Sequence, residues 1–106
     1  MTTCNCLVQE GQIAPETERT LRTQLTDFAK RAFDTELQIS WVVIPEHNGF
    51  TAGEPTRASV VSMRATAPLE QSRRVELLQE LCDLWTHETR CSHDELVGVI
   101  SDPQSI

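Results

Sequence analysis

The chain has 106 residues, an apolar share of 39% and a formal net charge of −7. That length and composition suit one folded domain with a modest core and argue against disorder. The acid excess argues against nucleic acid or an anionic membrane as partner, since both need a basic surface.

Residues 3–9, Thr-Cys-Asn-Cys-Leu-Val-Gln, read as a first strand that Glu10-Gly11 ends. Cys4 and Cys6 are two apart, so on a strand they share a face and cannot easily bridge one another. Ala14-Pro15-Glu16 then opens a helix, with proline in the first turn and acids beside it. Leu21, Leu25, Phe28, Ala29, Ala32 and Phe33 recur at spacings of four and three, a single apolar stripe, and the helix should end near Asp34. A central strand covers Ile39 to Ile44. Its run Trp41-Val42-Val43-Ile44 is the pattern of a strand covered on both faces. Residues 47–56, with Gly49, Gly53 and Pro55, make a loop too long for a tight hairpin, and such loops are often functional. Ala58 to Met63 is the next strand. Ala67-Pro68-Leu69-Glu70 opens a second helix, with Val75, Leu78, Leu81, Cys82 and Trp85 as its buried stripe and an end around Glu88 to Arg90. The last strand runs from Glu95 to Ile100 and stops at Ser101-Asp102-Pro103, before a polar tail expected to fray.

The second half repeats the first. A shift of 53 residues puts Val8 on Val61, Ala14-Pro15 on Ala67-Pro68 and Leu25 on Leu78. Three further residues before the last strand bring Val43-Ile44 onto Val99-Ile100. The expected fold class is therefore α+β: two pseudo-symmetric βαβ units (1–46 and 57–103, joined by loop 47–56). They form a four-stranded mixed sheet with two helices on one face, each unit a right-handed crossover. The other face is left uncovered, with Trp41 or its neighbours pointing that way, and uncovered apolar sheet usually means oligomerisation. No window reaches the apolar length of a membrane span and MTTCNCLVQEG is not a signal peptide, so a cytoplasmic location with reduced cysteines is expected.

Leu7-Val8-Gln9-Glu10-Gly11 before a helix, Val42-Val43-Ile44-Pro45-Glu46, the loop Gly49-Phe50-Thr51-Ala52-Gly53 and Ser59-Val60-Val61-Ser62-Met63-Arg64 together resemble the tautomerase superfamily. That superfamily includes 4-oxalocrotonate tautomerase, macrophage migration inhibitory factor and cis-3-chloroacrylic acid dehalogenase. The resemblance spans almost the whole chain. It implies a homotrimer with sites between subunits and proton transfer on a small α-keto, enol or unsaturated carboxylate, with no cofactor and no metal. In the family an amino-terminal proline is the base and arginines hold the substrate carboxylate. Counted back from Glu10-Gly11, the proline position falls on Thr2. Once Met1 is removed, Thr2 would present an α-amine with an ordinary pKa of roughly 7.7–8.0, a weaker base. Gln12 and Trp41 stand where members carry arginines, and Val99 stands where the dehalogenase branch has a tyrosine. Arg64 matches a substrate-binding arginine of that branch, whose partner is here Ala67. Phe50 matches a residue that walls the pocket.

Each candidate has a plainer reading. Thr2 is a base or merely the start of a strand; Arg64 is a clamp or a surface arginine. Phe50 is a pocket wall or packing, and Arg57 is a solvated loop charge or part of the clamp. Glu46-His47 is an acid–base pair or a turn. Cys4, Cys6, His87, Cys91 and His93 lack the tight pair spacing of structural zinc sites. Two other functions fit the same order of elements: a diverged, non-catalytic trimeric binding protein, and a ferredoxin-like dimeric cofactorless monooxygenase.

Overall fold

A computed structural model describes residues 1–103; the polar tail expected to fray, 104–106, lies outside the described residues. In β1 (Thr2–Gln9), Thr2, Cys4, Cys6 and Val8 are buried while Thr3 and Asn5 face solvent, the period-2 alternation of a sheet covered on one side. Helix α1 (Pro15–Phe33) begins with proline and with Glu16 and Glu18 in its first turn, where carboxylates favour the helix dipole. It stops at Asp34, which takes a left-handed conformation and returns its N–H to the Lys30 carbonyl. Its buried residues are Leu21, Leu25, Phe28, Ala29 and Phe33, the stripe that the spacing predicts.

Strand β2 (Leu37–Ile44) lies parallel to β1, with Cys6 opposite Trp41. The connecting loop carries a two-residue ladder of its own, β3 (Phe50–Thr51) against β4 (Glu54–Pro55). Strand β5 (Ser59–Arg64) runs antiparallel to β1, and β6 (Leu96–Ser101) runs parallel to β5. The sheet order is β2-β1-β5-β6. The fold is thus the expected one: α1 and α2 (Gln71–Thr89) cover one face of a four-stranded mixed sheet.

Several details depart from the sequence reading. Ala67-Pro68 does not open α2, because the backbone there is tied to the end of β6. The Leu69 N–H donates to the Asp102 carboxylate (3.1 Å), and Arg74 donates to that carboxylate (2.7 Å) and to the carbonyls of Ile100 (2.9 Å) and Leu69 (3.2 Å). Glu70 is still extended, so the helix starts at Gln71. The buried stripe of α2 is Leu77, Leu81 and Trp85; Leu78 and Cys82 are half-buried, and Val75 is exposed. Those three match Leu21, Leu25 and Ala29 at a shift of 56, so Leu25 corresponds to Leu81 and not to Leu78. In the strands, parallel partners lie 35 residues apart in the first unit (Cys6 and Trp41) and 37 in the second (Ser59 and Leu96). The second unit therefore has two extra residues rather than three. An odd number would have turned every β6 side chain to the wrong face.

Of Trp41 and its neighbours, Trp41 itself is not on the open face. It points into the helix layer, stacked on Trp85 with centroids 5.9 Å apart and with the Arg22 guanidinium over its ring. Nor is β2 covered on both faces: it is an edge strand whose Val42 and Val43 are exposed. It is Val42, among Trp41's neighbours, that looks out from the open face. There Val42, Leu7, Val60 and Val97 form one row across all four strands. The next row is Ser40, Asn5, Ser62 and Val99, and beyond it Gln38 pairs with Thr3 and Arg64 with Ser101. The open face is apolar at one end and polar at the other. Among the described residues no helix is long and apolar enough to cross a membrane.

Candidate functional site

The antiparallel pairing of β1 with β5 brings the first residue of one beside the last residue of the other. The Thr2 hydroxyl donates to the Arg64 carbonyl at 2.7 Å, and the Thr2 N–H donates to the Glu36 carbonyl at 3.0 Å. A cavity of about 370 Å³ opens at this polar end of the sheet, lined by Thr2, Thr3, Asn5, Ser62, Arg64 and Ser101 among others. Among the described residues the Arg64 guanidinium has no carboxylate within ion-pair distance, in a chain that is otherwise rich in acids. This end of the sheet is set up to attract an anion.

The remaining candidates sit at the opposite end. Seven residue steps along β1 separate Thr2 from Gln9, roughly 23 Å at the rise of a strand. There the Gln12 side-chain carbonyl accepts from the Ser59 hydroxyl (3.0 Å) and from the Gln9 N–H (3.3 Å), and its NH2 donates to the Arg57 carbonyl. The amide pins the loop to β5, which uses most of its bonding capacity. A second cavity of about 350 Å³ is lined by Glu10, Gln12, Glu46, His47, Thr56 and Arg57. His47 lies 3.6 Å from the Glu46 carboxylate, and the Arg57 guanidinium lies 3.9 Å from Glu95. Phe50 is 63% exposed on β3 and packs into no core. One chain thus unites Thr2 with Arg64, groups Gln12 with Arg57, and places Trp41 in the helix layer, away from both.

The thiols do not form a centre. Cys4 and Cys6 are fully buried with their sulfurs 3.8 Å apart, and the hydrogen bond with Cys4, reinforced by burial, pushes the Cys6 thiol far up. Cys91 accepts from the Thr89 hydroxyl at 3.0 Å, and His93 faces Asp83 at 3.3 Å. Among the described residues no three His, Cys, Asp or Glu side chains are grouped to hold a metal ion.

Thr3, Asn5, Ser62 and Ser101 are cavity residues that the sequence reading missed. Their signal was present in the alternation: once Cys4 and Cys6 face the core, Thr3 and Asn5 must share the other face. The antiparallel register then sets Asn5 against Ser62.

No protein-family model matches the chain, and no curated protein matches it in sequence. Solved structures do match. Native Ps01740 superposes with a TM-score of 0.88 at 16% identity, over 97% of this chain and 95% of that one. A fused 4-OT, a wild-type symmetric trimer, gives 0.83 at 14% identity over 95% and 85%. N1, a member of the cis-3-chloroacrylic acid dehalogenase family, gives 0.85 at 10% identity over 95% and 74%. At these identities the likeness establishes the fold, and that fold is the tautomerase one.

Proposed function

We propose that the chain is a tautomerase-superfamily protein that assembles as a homotrimer and moves a proton on a small α-keto, enol or unsaturated carboxylate. The observation that carries the reading is that Thr2 shares one cavity at the end of the sheet with Arg64, which has no acidic partner among the described residues. The trimer is supported by the similarity to fused 4-OT, itself a trimer, and by the apolar row on the open face. Because Gln12 and Phe50 lie at the far end of the same strand, only a second copy can bring them to the Thr2 cavity.

With Met1 removed, the Thr2 α-amine takes the place of the amide that now donates to Glu36. In its neutral form it accepts the proton of the substrate's enol hydroxyl, whose O–H pair becomes the C=O π bond while the C=C pair moves onto the adjacent carbon. The resulting ammonium gives that proton to the same carbon, so nothing is consumed. Arg64 holds the carboxylate in two-pronged fashion throughout. A threonine amine of ordinary basicity is only about a tenth neutral at pH 7, so a slow enzyme is expected.

Intact mass and ketonisation of phenylenolpyruvate and 2-hydroxymuconate test this. The expected results are a chain lacking Met1, measurable turnover, loss of at least about 100-fold in Arg64→Ala, and a gain of about 10- to 100-fold in Thr2→Pro. Met1 still attached would sink the amine mechanism. Turnover by neither wild type nor Thr2→Pro would leave a trimer that binds carboxylates without converting them.

A further inference from the structure

Beside Met1 and Met63, the part of the Thr2 cavity that one chain supplies is lined by hydroxyls, an amide and a guanidinium. Thr3 and Asn5 project from β1, Ser62 and Arg64 from β5, and Ser101 from β6, all on the open face. The pairing register sets Asn5 opposite Ser62 and Ser101 opposite Arg64, so these groups form one continuous patch. Among the described residues, none of these five side chains donates or accepts a hydrogen bond within the chain. The Arg64 carbonyl accepts from Thr2 and the Ser101 carbonyl from Ala65, but those are backbone atoms. Among the described residues nothing in the chain uses the bonding capacity of these side chains.

Three physical facts narrow what fits. One guanidinium without an acidic partner among the described residues suits a single carboxylate. With Met1 in place the cavity of one chain measures about 370 Å³, at the small end of ligand cavities. A site built from hydrogen-bonding groups rejects a ligand that leaves them unpaired more strongly than an apolar site rejects an added hydroxyl. We propose that this cavity takes a short, oxygen-rich monocarboxylate, a hydroxy-oxo acid. Arg64 holds its carboxylate, and Asn5 and Ser62, flanked by Thr3 and Ser101, hold its hydroxyl and oxo groups. The inference rests on the reading of the Thr2 cavity as the substrate site and adds to it the class of substrate.

Titration calorimetry of the full chain with 3-hydroxypyruvate, pyruvate and phenylpyruvate tests the proposal, alongside NMR of deuterium exchange at C3 of the same acids. The order expected is 3-hydroxypyruvate tightest, by about three- to tenfold over pyruvate, and phenylpyruvate weakest; the advantage is the worth of one or two neutral hydrogen bonds. Asn5→Ala and Ser62→Ala should each weaken 3-hydroxypyruvate, and at least one of them, the one that meets the C3 hydroxyl, should shrink its advantage over pyruvate. Arg64→Ala should weaken all three acids by at least about tenfold. Tightest binding of phenylpyruvate overturns the proposal, as does a 3-hydroxypyruvate advantage that survives both Asn5→Ala and Ser62→Ala. The same order of affinities without any C3 exchange upholds the substrate class and overturns the catalytic reading instead. Binding that Arg64→Ala does not weaken overturns both.

Discussion

Side chains two residues apart on β1 have opposite fates from their neighbours. Cys4 and Cys6 are sealed under the helices, whereas Thr3 and Asn5 line an open cavity. The four thiols separate accordingly, because the thiolate is the reactive form and must be reached. Cys82 and Cys91 are half-buried, and burial, helped by the Asp83 carboxylate, pushes the Cys82 thiol up. In the native state two thiols should therefore react with Ellman's reagent, and four should react in urea. The slower of the two native phases should vanish in Cys82→Ala, and its rate should keep rising at pH values where an ordinary thiol has levelled off. Four fast native thiols would show that the β1 face is not covered as described. The residue scale is also where the sequence was least legible. Arg64 could be matched by its place at a strand end. Trp41 could not be placed, because an apolar run in an edge strand looks the same whichever face the tryptophan takes. The structure puts it against Trp85 in the helix layer and leaves the open face to its neighbour Val42.

Elements were easier to read than their ends. Both helices and all four long strands follow from periodicity, since an amphipathic stripe or an alternation is spread over many residues. The start of α2 was misread because it is set by a contact distant in sequence, the Asp102 carboxylate on the Leu69 N–H and on Arg74. Those bonds hold the Asp102 carboxyl below its ordinary value, the Leu69 N–H first and Arg74 second. A carboxylate with a lowered folded pKa stabilises above its unfolded value, about 3.9, and loses that contribution as pH falls through the folded value. Asp102→Asn should lower the thermal midpoint at pH 7, and the gap from wild type should close as pH falls below the ordinary carboxylate value of about 3.9. Thermal melts of the two proteins across that range check it. A gap that stays constant in acid would mean that the carboxylate's charge plays no part in docking β6 to α2.

The whole molecule presents a divided surface. One side of the sheet carries the helices, and the other carries an apolar row, Val42-Leu7-Val60-Val97, beside the polar rows that end in the cavity. The exposed valines at both edges are the groups that a second and third copy would cover, as a contiguous apolar patch crossing a whole sheet is uncommon on a monomer. Opposing that burial is charge: each copy carries −7, so copies repel one another at low salt. The wild type should accordingly sediment as three copies at micromolar concentration, with an association that tightens as sodium chloride is raised from 20 to 200 mM, roughly the range over which the Debye length falls by a factor of three. Val42→Asp and Val97→Asp alter side chains that face solvent in one copy, so each should keep the circular dichroism of the folded chain and its stability within about 0.5 kcal/mol. In the assembly each would bury an unpaired carboxylate, so each should sediment as a single copy. A wild type that sediments as a dimer would overturn the trimer. Variants that remain trimeric would place the interface somewhere other than the open face, leaving the Thr2 cavity to be completed, if at all, by a different contact.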